Sequence, residues 1–118
     1  MRFAFSRSTV LRLYIQVRYE WDESKNRLNQ KKHGVSFQLA ALALEDENCL
    51  VRQDRVDETG EQRWHALGAA RLGAGFSAVL FVVHVYREQI DGKEVVRIIS
   101  ARRAEKHEVK RYQEQEMD

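Results

Sequence analysis

Residues 76–101 read FSAVLFVVHVYREQIDGKEVVRIISA, and the pattern of this stretch decides the fold. Phe76–Tyr86 is apolar on both faces up to Val83, as a central strand covered on both sides must be. Asp91-Gly92 follows, a pair whose tolerance of positive φ signals a two-residue hairpin turn. Glu94–Ala101 is then the return strand. If Ile90 pairs with Lys93 across that turn, Tyr86 opposes Arg97 and His84 opposes Ile99. His84, Tyr86 and Arg97 then share one face. Arg87 falls on the other face, opposite Val96, unless a bulge or a slipped turn reverses the assignment.

The rest of the chain arranges itself around this hairpin. Downstream, 103–116 is helical and highly charged, with Val109 and Tyr112 spaced i, i+3. Upstream, Arg63–Gly68 reads as a strand with Ala69–Gly75 as its turn, Asp54–Glu61 as a charged loop, and Cys49–Gln53 as a short strand. Ser36 caps a helix over 37–46 that carries Phe37, Ala40, Ala41 and Leu44 on one side. Asp22 caps a polar helix over 23–33. Lys31, Lys32 and His33 meet the negative end of its dipole, and Gly34 takes the left-handed position just past it. Residues 11–21 alternate from Leu11 to Trp21, a strand with one buried face. The order β-α-α-β-β-β-β-α predicts an α+β domain: a small, mostly antiparallel sheet with two N-terminal helices and a C-terminal helix.

Composition narrows the function classes. The 118 residues are 43% apolar and 32% charged, which fits one globular domain over 1–118 and excludes a disordered chain. No proline and one cysteine exclude Pro-rich architecture, an internal disulfide framework and a cysteine-based zinc site. No run of 18 apolar residues spans a membrane, and the arginine-cut N-terminus has no cleavage site, so the cytoplasm is the expected compartment. Residues 1–35 carry a balance of +5, 36–62 of −5 and 63–118 of +2. Such polarity attracts a polyanion, or is the ordinary fluctuation of a charge-rich chain; both readings stand.

The familiar catalytic signatures are missing. Gly73-Ala74-Gly75 is a turn rather than a phosphate loop, Cys49 belongs to the core, and Glu45, Asp46 and Glu47 read as a solvated patch rather than a metal site. What stands out is arginine on strands: Arg63, Arg87, Arg97, and Arg102 where the last strand hands over to the last helix. Their planar forks suit phosphate and stay charged at any working pH. Alternatively, each lies along a strand edge or pairs with an acid such as Glu88 or Glu94. Histidine supplies acid–base candidates. His33 sits at a helix end, His65 alternates with Trp64, His84 reads as a satisfied core histidine, and His107 as a solvated one.

The strings YEWDESKNRLNQKKHGVSF (19–37), EQRWHALG (61–68), VLFVVHVYRE (79–88) and RIISARRAEKHEVKRY (97–112) resemble the BrnT toxins of bacterial type II toxin–antitoxin modules. The resemblance covers about 19–112. It implies a RelE-like fold and a ribonuclease needing no cofactor or metal. It also implies a BrnA-like ribbon-helix-helix antitoxin, with operator DNA bound only through the toxin–antitoxin complex, and no membrane. Matched motif places are Glu20-Trp21-Asp22, Lys32-His33-Gly34, Arg63, Leu67-Gly68, Arg87, the block Arg97–Arg102, Ala104, Glu108 and Tyr112. Val109 stands where the family often has arginine, and the chain begins some fifteen residues early, so 1–10 read as an extension or a misassigned start. Metal-independent cleavage needs a base for the 2′-hydroxyl and cations for the phosphate. On this footing Arg87 and Arg102 hold the phosphate, Arg63, Arg97 and Tyr112 contact RNA, and His33 or Lys32 transfers a proton. Trp64 and Tyr86 are further aromatic candidates. The contrasting reading is a toxin-fold module without activity that binds protein or nucleic acid.

Overall fold

The computed structural model describes residues 17–73, 75–88 and 93–115; the first ten residues and the early part of the expected N-terminal strand lie outside them. The apolar stretch forms β4 (Phe76–Glu88) and β5 (Glu94–Arg103). Ahead of them come β1 (Val17–Glu20), β2 (Leu50–Val56) and β3 (Gln62–Gly73). The helices are α1 (Glu23–His33), α2 (Phe37–Leu44) and α3 (Lys106–Glu114). The sheet runs β1-β5-β4-β3-β2, so β4 is central, and every neighbouring pair is antiparallel except β1 with β5. This is the α+β architecture read from the sequence. No described helix is long and apolar enough to cross a membrane.

Local chemistry sets the helices. Asp22 accepts from Lys25 N, Ser36 accepts from Leu39 N, and Gly34 closes α1 at φ 70°. The polar helix α1 docks through amides rather than an apolar stripe. Asn26 Oδ1 accepts from Phe37 N at 2.8 Å, satisfying a free amide of the first turn of α2. Asn29 Nδ2 donates to Ala101 O at 2.7 Å while its Oδ1 accepts from Ala101 N at 3.3 Å. Past the end of β1, this one side chain therefore does for β5 what a neighbouring strand would do.

The helix-covered face of the sheet is the core. Ala66, Ala70, Leu80, Val82, Val96, Ile98 and Ala101 pack against Val35, Phe37, Ala40, Ala43 and Leu44. His84 belongs to this face, fully buried, with its Nε2 at 3.1 Å from Tyr86 Oη.

Four expectations need correction. β3 does not turn at Ala69; it continues to Gly73, with Ala69 opposite Val79 and Ala70 opposite Ala78. β2 runs Leu50–Val56, so part of the expected charged loop is strand. α2 ends at Leu44 rather than 46. The largest correction concerns register. Leu80–Val83 pair with Arg103–Ser100 as the two-residue turn requires, but a bulge between Val83 and His84 shifts the rest by one. His84 then faces Ile98, Val85 faces Arg97, Tyr86 faces Val96 and Arg87 faces Val95. Arg97 therefore leaves the face of His84 and Tyr86 and joins that of Arg87. The turn itself, 89–92, lies outside the described residues.

Candidate functional site

The bulge builds the site. On the face turned away from α1 and α2, buried Val85 is flanked across the ladder by Arg97 of β5. The register of β3 and β4, Trp64 opposite His84, carried on by one residue, sets Arg63 on its other side. Arg87 follows two residues along β4, on the same face. β1 ends beside them, because Glu20 is paired with Arg97 in the parallel ladder. Three guanidinium groups from three strands thus surround one apolar floor.

Their counter-charges are equally specific. Arg97 Nη1 donates to Glu20 Oε2 at 2.9 Å, and Arg87 Nη1 donates to the same oxygen at 3.4 Å. Arg87 Nε also donates to Glu61 Oε2 at 3.3 Å. Arg63 Nε donates to Asp57 Oδ2 at 3.3 Å. The Asp57 carboxyl is lowered to about 2, first by the Thr59 hydroxyl; burial opposes this, and the Glu61 and Thr59 amides and Arg63 reinforce it. The Arg87 side chain is 46% exposed and Arg97 29%, so a ligand in solvent reaches both. Forks from neighbouring strands thus converge on a single carboxylate oxygen, a geometry that also suits an oxygen of phosphate.

Arg102 lies elsewhere. It faces Phe81, six residues along β4 from Arg87, or roughly 20 Å at the strand rise. Its guanidinium stacks 4.2 Å above the Phe81 ring and forms a two-pronged pair with Glu108 at 2.8 and 3.0 Å. Glu108 is buried and also accepts from Glu105 N, closing the first turn of α3. Hydrogen bonding from Glu108 raises the Arg102 pKa, against burial. Burial works to raise the Glu108 pKa, but the Arg102 and Glu105 hydrogen bonds and the guanidinium charge more than offset it, and the net value lies below the ordinary 4.5.

This pair pins α3 to the sheet, and it yields a stability prediction. Glu108→Gln should cost about 2 kcal/mol at neutral pH, because a desolvated ion pair loses one charge. A carboxyl with a depressed folded pKa contributes stability that is complete above its unfolded value and is lost as pH falls through the folded one. Urea midpoints of wild type and Glu108→Gln should therefore differ at pH 7 and converge as the pH is taken below the ordinary carboxylate range.

The remaining expected residues are dispersed. Lys32 and His33 end α1, exposed, and with Lys25, Lys31, Ile99 and Ser100 they line a concavity along β5. Tyr112 of α3 donates its hydroxyl to Asp46, which also accepts from Ala69 N at 2.8 Å. Burial, then Asp46, hold the Tyr112 phenol well above its ordinary pKa, so it stays protonated. Trp64 and Tyr86 meet edge to face at 5.6 Å, with Tyr86 packed against the core. His65 stacks on Phe81 and His107 is exposed on α3. The structure thus brings together Arg63, Arg87 and Arg97, and sets Arg102, Lys32, His33 and Tyr112 apart from them. Sequence reasoning placed Glu20 in a motif and Glu61 at the start of the string EQRWHALG without seeing either as a partner of arginine.

A family model described as "Ribonuclease toxin, BrnT, of type II toxin-antitoxin system" matches residues 21–108. No curated protein matches the chain. The matched span runs from Trp21 to the first turn of α3 and contains Arg63, Arg87, Arg97 and Arg102; Glu20 lies one residue before it. The five-stranded sheet, with two helices between β1 and β2 and one after β5, is consistent with the RelE-like fold that the resemblance implies. With a match over most of its length, this chain belongs to the BrnT family of ribonuclease toxins of type II toxin–antitoxin systems.

Proposed function

We propose that this chain is a metal-independent endoribonuclease acting in the cytoplasm, where it grips the scissile phosphate with Arg87 and Arg97, flanked by Arg63. The carrying observation is that Arg87 and Arg97 converge on one oxygen of Glu20. A phosphodiester entering there meets two forks already aimed at an anion, and the developing charge of a pentavalent phosphate strengthens both interactions. Lys31, Lys32 and His33 attract the RNA backbone farther along β5. The 2′-hydroxyl is the nucleophile, so products carry 2′,3′-cyclic phosphate and 5′-hydroxyl ends. A ribbon-helix-helix antitoxin neutralises the toxin by placing acidic side chains in the same forks, and the complex binds operator DNA through the antitoxin.

One observation favours the module without activity: Arg63, Arg87, Arg97 and Arg102 each already hold a carboxylate. Induction of the chain alone in a bacterium separates the two readings. The nuclease arrests growth and produces RNA fragments with 5′-hydroxyl ends, while the module leaves RNA intact. Purified antitoxin should displace RNA from the toxin; unchanged RNA binding would remove the shared-fork idea.

A further inference from the structure

A nuclease of this kind needs a proton acceptor beside the phosphate it grips, and the residues expected to serve lie elsewhere. His33 and Lys32 sit at the far end of an 11-residue helix whose start adjoins Glu20, about 16 Å away along the axis. His84 lies on the helix-covered face, His65 stacks farther along β4, and Tyr112 is held by Asp46. Two carboxylates touch the forks of Arg87 and Arg97, while Asp57 is held on Arg63. Glu61 meets only Arg87, through Nε, whereas Glu20 lies between Arg87 and Arg97.

We infer that Glu20 is the general base of the cleavage reaction. The inference rests on the ribonuclease reading above and names the residue that reading lacks. In the free protein Glu20 occupies the forks. An entering phosphate takes them over and frees the carboxylate at the edge of the site, 35% exposed at the end of β1. Released from its two guanidinium partners, the carboxylate has both oxygens open to accept from a substrate hydroxyl. Among the described residues, the charged groups around it are Arg18 on its own strand, Asp22 after it, Arg97 on β5, Arg87 on β4 and, beyond Arg87, Glu61. The 2′-hydroxyl belongs to the ribose whose 3′-oxygen carries the gripped phosphate, which sets its proton within reach of a carboxylate lining the same forks. The step balances simply. The 2′-hydroxyl proton passes to a Glu20 carboxylate oxygen as the 2′-oxygen bonds to phosphorus. The bond from phosphorus to the 5′-oxygen breaks, and that oxygen takes a proton from water. Glu20 then returns its proton to solvent.

The test is single-turnover cleavage of a mixed-sequence RNA by wild type, Glu20→Gln, Glu20→Asp and Glu61→Gln, each verified as folded by circular dichroism. Binding is read with the same sequence as 2′-O-methyl RNA. Wild type should show a rate that rises with pH on the acid side and then levels. Glu20→Gln should lose about 10²–10⁴-fold in rate, together with that acid limb, while binding the 2′-O-methyl RNA at least as tightly. Glu20→Asp should be slower but keep the limb, and so should Glu61→Gln. Glu20→Gln cleaving at the wild-type rate or faster, or with the acid limb intact, overturns the assignment and leaves Glu20 as an anion that merely competes for the forks. Wild type that cleaves no RNA at all overturns the ribonuclease reading itself, a result distinct from equal cleavage by wild type and variant.

Discussion

Among the described glycines, Gly68→Ala should be the most destabilising change to alanine. A Cβ built at Gly68 falls 2.0 Å from Ala43 O and 2.8 Å from its carbonyl carbon. Both are backbone atoms near the end of α2, so no side chain can swing aside to make room. Either the helix lifts from β3 or β3 bends away from it. Both movements open the core shared by Ala40, Ala43, Leu44 and Ala66. Overpacking of a core usually costs 1–3 kcal/mol; because backbone must move here, the expected cost is about 3 kcal/mol or more. A urea titration checks this, with Ala70→Gly, also on the core face of β3, as the comparison. A Gly68→Ala midpoint within experimental error of wild type would mean that α2 does not approach β3 as closely as the structure has it.

The string EQRWHALG shows a glycine there, but nothing in it says which element comes close. That limit recurs. Asp22, Ser36 and Gly34 were legible because a cap is a bond between residues three or four apart, and the chain dictates it locally. The continuation of β3 through Ala69–Gly73 was not legible. Small residues and glycines read as a turn, and only pairing with Val79, Ala78 and Ser77 makes them a strand. The bulge was hidden for a similar reason. In Val95-Val96-Arg97-Ile98-Ile99, apolar residues fill both faces, so an extra residue leaves no break in the alternation. Without it Arg97 would face α1 and α2, and the site would not exist. Strand pattern and resemblance both put Arg63, Arg87, Arg97 and Arg102 on one list; topology divides them into three around Val85 and one near the end of β5, held by Glu108 of α3.

That division carries the second large effect. Arg87→Ala and Arg97→Ala should each lower the cleavage rate by about 10²–10³-fold, the usual loss when one donor to a developing charge is removed. The double variant should fall further, because Glu20 and Glu61 then stand as unpaired negative charges where the phosphate must enter. Lysine at either position restores charge without the planar fork, so it should recover only part of the rate. Arg102→Ala should behave differently. Its guanidinium is committed to Phe81 and Glu108, roughly 20 Å along β4 from Arg87. Its loss should lower the urea midpoint while cleavage per folded molecule stays within a few-fold of wild type. The decisive comparison is therefore between rate and stability for each variant, measured on the same preparations. A folded Arg87→Ala/Arg97→Ala protein that cuts RNA at the wild-type rate would move the chemistry away from this cluster. An Arg102→Ala protein that is fully stable yet inactive would move it to the junction of β5 and α3.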